Sequence, residues 1–301
     1  MKVVKIYQYG GREVLQFEEA QEPIPGPKEI LIKIKAIGMN PIDWKTRQGY
    51  MKEKIKLPFT LGWDLAGIVE GLGEEVTKFQ LDDEVYAMTE LIKGGCNAEY
   101  VIVHENFVAL KPKSLNFEEA AAVPLAALTA WQALFDVANL QANQKVLIHA
   151  GSGGVGSFAI QFAKEKGAFV TTTTSSNNIE RVKKLGADEV LDYTHVDFVS
   201  HCKDSDVVLD TVGKEVQDRS FECLKPEGKL VTIVALNNPE RGIRTLVEPN
   251  GARLAQIASL IDAGKIKPLI DRIMMFKELA AAHELSESGH AKGKIVLRVS
   301  K

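Results

Sequence analysis

The stretch that most constrains this chain is Lys145–Lys166, KVLIHAGSGGVGSFAIQFAKEK. A run rich in Val, Leu and Ile, Lys145–His149, leads into Gly151-Ser152-Gly153-Gly154-Val155-Gly156. Beyond it Val155, Phe158, Ala159, Phe162 and Ala163 recur at intervals of three and four, the period of one helical face. The order is strand, tight turn, helix. The first helical turn has backbone N–H groups without internal partners and a partial positive charge. Glycines let a diphosphate come close enough to use both. A strand before and a helix after are the context a dinucleotide fingerprint requires. Ser152, Gly153, Gly154 and Val155 are therefore the expected diphosphate contacts, where the plainer alternative is a turn that only joins strand to helix.

With 301 residues there is room for about two domains of ordinary size. A net charge of −3 leaves no basic excess of the kind nucleic-acid binding requires, so no nucleic-acid partner is expected. The opening MKVVKIYQYGG has no long apolar core, so no signal peptide is read there and the cytoplasm is the expected compartment. No apolar run reaches the roughly 18 residues of a membrane-spanning helix. Cys96, Cys202 and Cys223 are odd in number and far apart, and the six histidines show no HExxH spacing. Neither a disulfide framework nor a metal site is expected.

Residues 1–122 read as mostly strand: Val3–Tyr7, Glu29–Ile37, Ala66–Gly71, Glu84–Ala87, Ala98–Val103 and Phe107–Leu110, separated by turn residues. Strands without helical crossovers predict a small barrel. At Phe117 the texture changes. Asn116 is placed to cap a helix with Glu118 and Glu119 in its first turn, Pro124 interrupts it, and helix resumes over Leu125–Phe135. From Lys145 strands and helices alternate. Strands are expected at Phe169–Thr174, Glu189–Tyr193, Val207–Thr211, Lys229–Val234 and Ile243–Val247. Helices are expected at Ile179–Leu185, Lys214–Leu224 and Ala252–Ala263. That is a doubly wound parallel sheet with its ligand at the carboxyl ends of the strands. Ile266–Lys301 returns to short strands, and Lys294–Val299 is expected to rejoin the first domain.

The motifs AIGMNPIDWKTRQG, LPFTLGWDLAGIVEGLG, DEVYAM, AEYVIV, AAVPLAALTAWQAL, AGSGGVG, LGADEVLDY and GKIVLRV follow in one order along essentially the whole chain. Together they resemble the medium-chain dehydrogenase/reductase superfamily. Within it the chain is similar to the zinc-independent quinone oxidoreductases, the branch of zeta-crystallin and the 2-alkenal and enone reductases. The resemblance implies an α/β chain in which a Rossmann domain, residues 123–266, is inserted into a GroES-like β-barrel domain, residues 1–122 plus 267–301. It also implies a homodimer.

Zinc alcohol dehydrogenases of this superfamily place a cysteine where this chain has Asn40, and a His-Glu pair where it has Trp63-Asp64. Asn40 and Trp63 supply neither thiolate nor imidazole, so no catalytic zinc is expected. What remains is hydride donation from a reduced nicotinamide to an acceptor that is already electrophilic: a quinone, an enone or an alkenal. The resemblance places Asn40 and Lys45 facing the nicotinamide ribose and the substrate. It leaves Tyr50 as a candidate proton donor and Trp63 as a candidate pocket wall. For each of the four the plainer reading is a cap, a solvated side chain or core packing.

Cofactor choice turns on the end of the second strand of the alternating unit. A carboxylate there would bind the ribose hydroxyls of NAD, whereas a 2′-phosphate needs hydroxyls and cations. Thr173-Thr174-Ser175-Ser176-Asn177-Asn178 has no carboxylate before Glu180, followed by Arg181, and NADPH is expected. Close family members carry a lysine at Asn178. Here either Arg181 or Lys184 supplies the charge, or Ser175, Ser176 and Asn178 act without one. The resemblance further implies Tyr193 near the adenosine phosphate, Thr129 near the nicotinamide and diphosphate, and Val234-Ala235 beside the nicotinamide. The expected function is an NADPH-dependent, zinc-free reductase of quinones or of the C=C bond of unsaturated carbonyls. The alternatives are a non-catalytic NADPH-binding protein, crystallin-like or RNA-associated, and a methyltransferase with a similar glycine loop.

Overall fold

The structure, a computed structural model, describes residues 1–299. The elements in chain order begin with β1 (Lys2–Ile6), β2 (Gln16–Glu19), β3 (Glu29–Met39), α1 (Pro41–Arg47), β4 (Phe59–Thr60) and β5 (Asp64–Leu72). Next come β6 (Glu84–Met88), β7 (Tyr100–His104), β8 (Val108–Leu110), α2 (Phe117–Ala121) and α3 (Pro124–Trp131). The alternating part has β9 (Lys145–Ile148), α4 (Gly154–Glu165), β10 (Phe169–Thr174), α5 (Ile179–Lys183), β11 (Glu189–Asp192) and α6 (Phe198–His201). It continues with β12 (Ser205–Asp210), α7 (Lys214–Ser220), β13 (Leu224–Thr232) and β14 (Gly242–Arg244). Last are α8 (Gly251–Asp262), β15 (Ile270–Met275), α9 (Leu279–Glu287) and β16 (Lys294–Arg298). Two compact units result: Met1–Leu125 with Glu248–Gly264 and the described residues from Pro268 onward, and Ala126–Val247 with Lys265–Lys267.

In the first unit β3 is the central strand. Ile30, Ile32 and Ile34 alternate with Leu31, Lys33 and Lys35, so one face is fully buried and the other is not. Each buried isoleucine contributes about 2 kcal/mol relative to exposure. Strand β3 pairs antiparallel with β5, β7 and β16, and the sheet runs β15-β16-β3-β5-β6-β8. Pairing of Ile295–Arg298 with Ala36–Met39 returns the C-terminal segment to this unit, as its apolar pattern predicts. A smaller sheet has the order β2-β1-β4.

In the second unit all strand pairs are parallel and the order is β11-β10-β9-β12-β13-β14. That is the Rossmann order, in which the first strand, β9, sits at the centre and the order reverses beside it. The carboxyl ends of β9, β10, β11, β12 and β13 therefore share one edge of the sheet. Residues 300–301, the end of the expected barrel segment, lie outside the described residues.

Two expectations are corrected. The helix expected at Ala252–Ala263 does form, as α8, but it packs with the first unit rather than the alternating one. Its Leu254 carbonyl accepts from Tyr86 Oη at 2.6 Å, and Asp262 accepts from Ser114 N at 2.9 Å and Oγ at 2.8 Å. Within the region read as mostly strand, Pro41–Arg47 forms a helix for which no expectation was stated. Asn40 and Asp43 form a capping box and Pro41 occupies the first turn, where its missing N–H costs nothing. Ile266 onward carries α9 as well as strands. The Asn116 cap is as expected: its side chain accepts from Glu119 N at 2.8 Å while Glu119 returns the bond.

Candidate functional site

The glycine loop is built for close approach. Ala150, with φ of 53°, turns the chain out of β9, and Gly151 N donates to Thr173 O at 2.9 Å. A Cβ on Gly151 would lie 2.3 Å from Thr172 Oγ1, and one on Gly156 would lie 2.3 Å from Ala150 O. These two glycines let helix and strand pack. Gly153 is the N-cap of α4; no side chain caps it, and the first turn holds no acidic residue. Ser157 N makes the first bond back, to Gly153 O at 3.0 Å, so the amides before it have no intrahelical acceptor. Ser152 accepts from Thr174 Oγ1 at 3.1 Å, which ties the loop to the end of β10. Gly153 N donates to Ala150 O at 2.9 Å, and the N–H groups of Ser152, Gly154 and Val155 fit a diphosphate anion.

At the end of β10 the expected phosphate contacts divide. Ser175 is half-buried and accepts from Asn178 Nδ2 at 3.0 Å, which leaves the Ser175 proton available. Asn178 is buried, so it supports Ser175 instead of reaching outward. The exposed Ser176 donates its hydroxyl to Asp192 at the end of β11. Arg181 is half-buried on α5, and Tyr193 is 60% exposed beside Asp192. Thr129 is buried on α3.

Sequence reasoning missed what shapes the next two loops of the edge. Asp210, fully buried at the end of β12, accepts from Val212 N at 2.9 Å and Gly213 N at 2.8 Å. Its other oxygen accepts from Thr232 Oγ1 at 2.8 Å and Gln217 Nε2 at 2.7 Å. Gln217 also donates to Ala235 O at 3.1 Å and accepts from Asn237 N at 2.7 Å. One carboxylate so fixes both the 211–213 turn and the Val234-Ala235 segment. The DTVG that follows β12 was the available signal. Upstream, His149 lies between Thr173 Oγ1 (3.1 Å from Nδ1) and Ser220 Oγ (2.9 Å from Nε2). Ser220 Oγ donates to Val216 O, so it accepts from Nε2–H. Burial pushes its pKa down to about 4.

The first unit holds the other expected residues around α1. Asn40 is buried: Nδ2 donates to Asp64 Oδ2 at 2.9 Å and Gly38 O at 3.3 Å, Oδ1 accepts from Lys294 Nζ, and its N–H donates to Asp43 at 2.8 Å. Every polar atom of the Asn40 amide is engaged internally. Lys294 Nζ also lies 2.9 Å from Asp64 Oδ2, and Leu125 N donates to Asp64 Oδ1 at 2.7 Å. An ammonium, not a metal-ligand set, is what Asn40 and Asp64 converge on. Lys294 was not singled out, since nothing local in GKIVLRV marks its partners.

Trp63 is fully buried, with Nε1 donating to Leu91 O at 3.1 Å. Lys45 is half-buried on the outer turn of α1, its Nζ 5.5 Å from the Trp44 ring centroid. Tyr50, just beyond α1, is 57% exposed. Asp43 is fully buried with Oδ1 unpartnered, and desolvation pushes its pKa up to about 7 against the pull of the Asn40 amide and Lys294. Among the described residues no three His, Cys, Asp or Glu side chains are gathered as metal ligands.

Comparison with known proteins agrees with this geometry. The family described as "Alcohol dehydrogenase GroES-like domain" matches residues 26–113, and "Zinc-binding dehydrogenase" matches residues 185–297. The chain is 37% identical to mouse "NAD(P)H oxidoreductase RTN4IP1, mitochondrial", over 98% of this chain and 88% of that protein. It is also 37% identical to Arabidopsis thaliana "NADPH-dependent alkenal/one oxidoreductase, chloroplastic", over 99% of this chain and 79% of that protein. The solved structure of a quinone oxidoreductase from Coxiella burnetii superposes with a TM-score of 0.93 at 36% identity, covering 100% of this chain and 99% of that one.

Proposed function

This chain belongs to the medium-chain dehydrogenase/reductase superfamily, and from that premise we propose that it is an NADPH-dependent reductase. It works without zinc on quinones or on the C=C bond of α,β-unsaturated carbonyls. The observation that carries this reading is the acid-free, uncapped N-terminus of α4 behind a glycine loop, on a sheet edge where β10 ends in hydroxyls. Similarity to proteins named as alkenal/one and quinone oxidoreductases supports the choice of acceptor.

Bound reduced nicotinamide supplies the hydride. The chain's own residues do the rest. The amides of Ser152, Gly154 and Val155 hold the diphosphate, Ser175 and Arg181 serve the adenosine end, and the turn fixed by Asp210 and Gln217 presents Val234 and Ala235. Lys45 donates a hydrogen bond to a ribose hydroxyl or to the oxygen that gains charge as hydride reaches the β carbon. A proton then completes the α carbon, and Tyr50 is its proposed source. Asn40 is a positioning residue: it caps α1, the helix that carries Lys45. The enzyme is a homodimer.

A steady-state screen of NADPH and NADH against 2-alkenals, alkenones and quinones, with and without chelator, tests the reading. Turnover that is indifferent to chelator is expected. Cofactor binding without turnover across the panel refutes it in favour of a non-catalytic NADPH-binding protein, a role with which the internal engagement of Asn40 and Trp63 would agree. Activity lost to chelation refutes the zinc-free part.

A further inference from the structure

We infer that Asp192 is a specificity-determining residue at the adenosine end of the cofactor site, a built-in carboxylate that competes with a 2′-phosphate for the same hydroxyl donors. The inference rests on the dinucleotide reading above and adds a residue that runs against a strong NADPH preference.

Asp192 ends β11 and stands in register opposite Thr174, the last residue of β10; Tyr193 N extends the pairing by donating to Thr174 O at 3.1 Å. Its carboxylate is thus at the tip of the strand next to the one whose end sets cofactor choice. Four donors converge on it. Ser176 gives its hydroxyl to Oδ2, Thr194 gives its N–H to Oδ1 at 3.0 Å and its hydroxyl to Oδ1 at 2.6 Å, and His195 Nδ1 lies 3.1 Å from Oδ2. The Asp192 side chain is 12% exposed beneath them, while His195 is 75% exposed. Hydrogen bonds from Ser176 and Thr194 hold the carboxyl below the usual carboxylate range, so it remains an anion.

A dianionic phosphate accepts hydrogen bonds and donates none. It needs the protons that Ser176, Thr194 and His195 now direct to Asp192, and it is repelled by the same carboxylate. An unphosphorylated ribose is different: it carries no charge for the carboxylate to repel. Asp192 therefore disfavours the 2′-phosphate relative to the ribose diol, and the chain uses NADH as well as NADPH. The carboxylate-free end of β10 gave no sign of this, because the carboxylate comes from the neighbouring strand.

Asp192→Asn keeps the side-chain shape and removes the charge. At a separation of roughly 6 Å in a water-like medium, losing the repulsion between one charge and a dianion amounts to about tenfold in affinity. Two readouts are needed: binding of 2′,5′-ADP and 5′-AMP by calorimetry, and kcat/KM for NADPH and NADH. The variant should bind 2′,5′-ADP about tenfold more tightly with 5′-AMP changed less than about threefold, and its NADPH:NADH ratio of kcat/KM should rise by a similar factor. Asp192→Ser, read the same way, serves if the asparagine variant does not fold. Equal weakening of both nucleotides marks Asp192 as a loop clamp only and overturns the inference, as does an unchanged ratio. Wild-type protein that binds neither nucleotide nor either dinucleotide overturns the cofactor reading itself, and this inference with it.

Discussion

Two sites, one in each unit, bury polar side chains by different means. The first buries full charges in contact, Lys294 against Asp64 with the Asn40 amide between them, and keeps a lone carboxyl, Asp43, nearby. The second buries a neutral imidazole, His149, between two hydroxyls. A charge pair fails when a partner is lost; a neutral buried base fails when it is protonated. The Lys294–Asp64 site is therefore vulnerable to substitution and the His149 site to acid, and four predictions sharpen or break that contrast.

The largest effect is expected from Lys294→Met, which leaves the Asp64 carboxylate buried without its partner cation. Loss of one member of a buried pair costs roughly 3–5 kcal/mol, read as a lower midpoint in denaturant unfolding. Adding Asp64→Asn should recover much of it. A single variant within 1 kcal/mol of wild type would mean that the pair contributes little.

Next come two opposite pH slopes. Burial lowers the folded pKa of His149 to about 4, so the unfolded chain takes up the proton first and stability present above about pH 6.5 is lost between 6.5 and 4. Burial raises the folded pKa of Asp43 to about 7, so its contribution is present below about pH 4 and is lost as pH rises through 7. In the window from 4 to 6.5 the two oppose each other. His149→Gln should reduce the acid loss of stability by about 3 kcal/mol, and Asp43→Asn should enlarge it by a similar amount. Unfolding free energies measured between pH 4 and 7 decide this, and parallel wild-type and variant curves would end the contrast. His283, also buried and pushed down to about 3, adds to the acid loss in wild type and both variants alike.

A third effect falls on catalysis. Lys45→Met should lower kcat about a hundredfold, the scale for losing one donor to a developing oxyanion, with little change in unfolding. The smallest is local. Asn116→Ala removes one half of a capping box and should cost about 1 kcal/mol of stability without touching turnover.

How far the molecule was legible depended on sequence distance. The glycine loop and the strand-helix alternation declare themselves within a window of about twenty residues. So does the Asn116 box. The α1 cap was equally local, with Asn40, Pro41 and Asp43 in place, but the strand-rich surroundings masked a helix of two turns. Helix α8 shows an apolar face in the sequence, and a face does not say which neighbour covers it. The pairing of Lys294 with residues 230 and 254 positions away leaves no local trace. Asp192 sits in LGADEVLDY, yet its meaning depends on Ser176, which lies two residues beyond the end of β10.

The central claim is hydride transfer to a conjugated acceptor with no metal needed to activate a carbonyl. It is tested most directly with NADPH carrying deuterium at the transferred position of the nicotinamide, an alkenone and chelator present. The expected product is a saturated ketone with deuterium on the former β carbon. Deuterium on the carbonyl carbon, as an allylic alcohol, would contradict the claim.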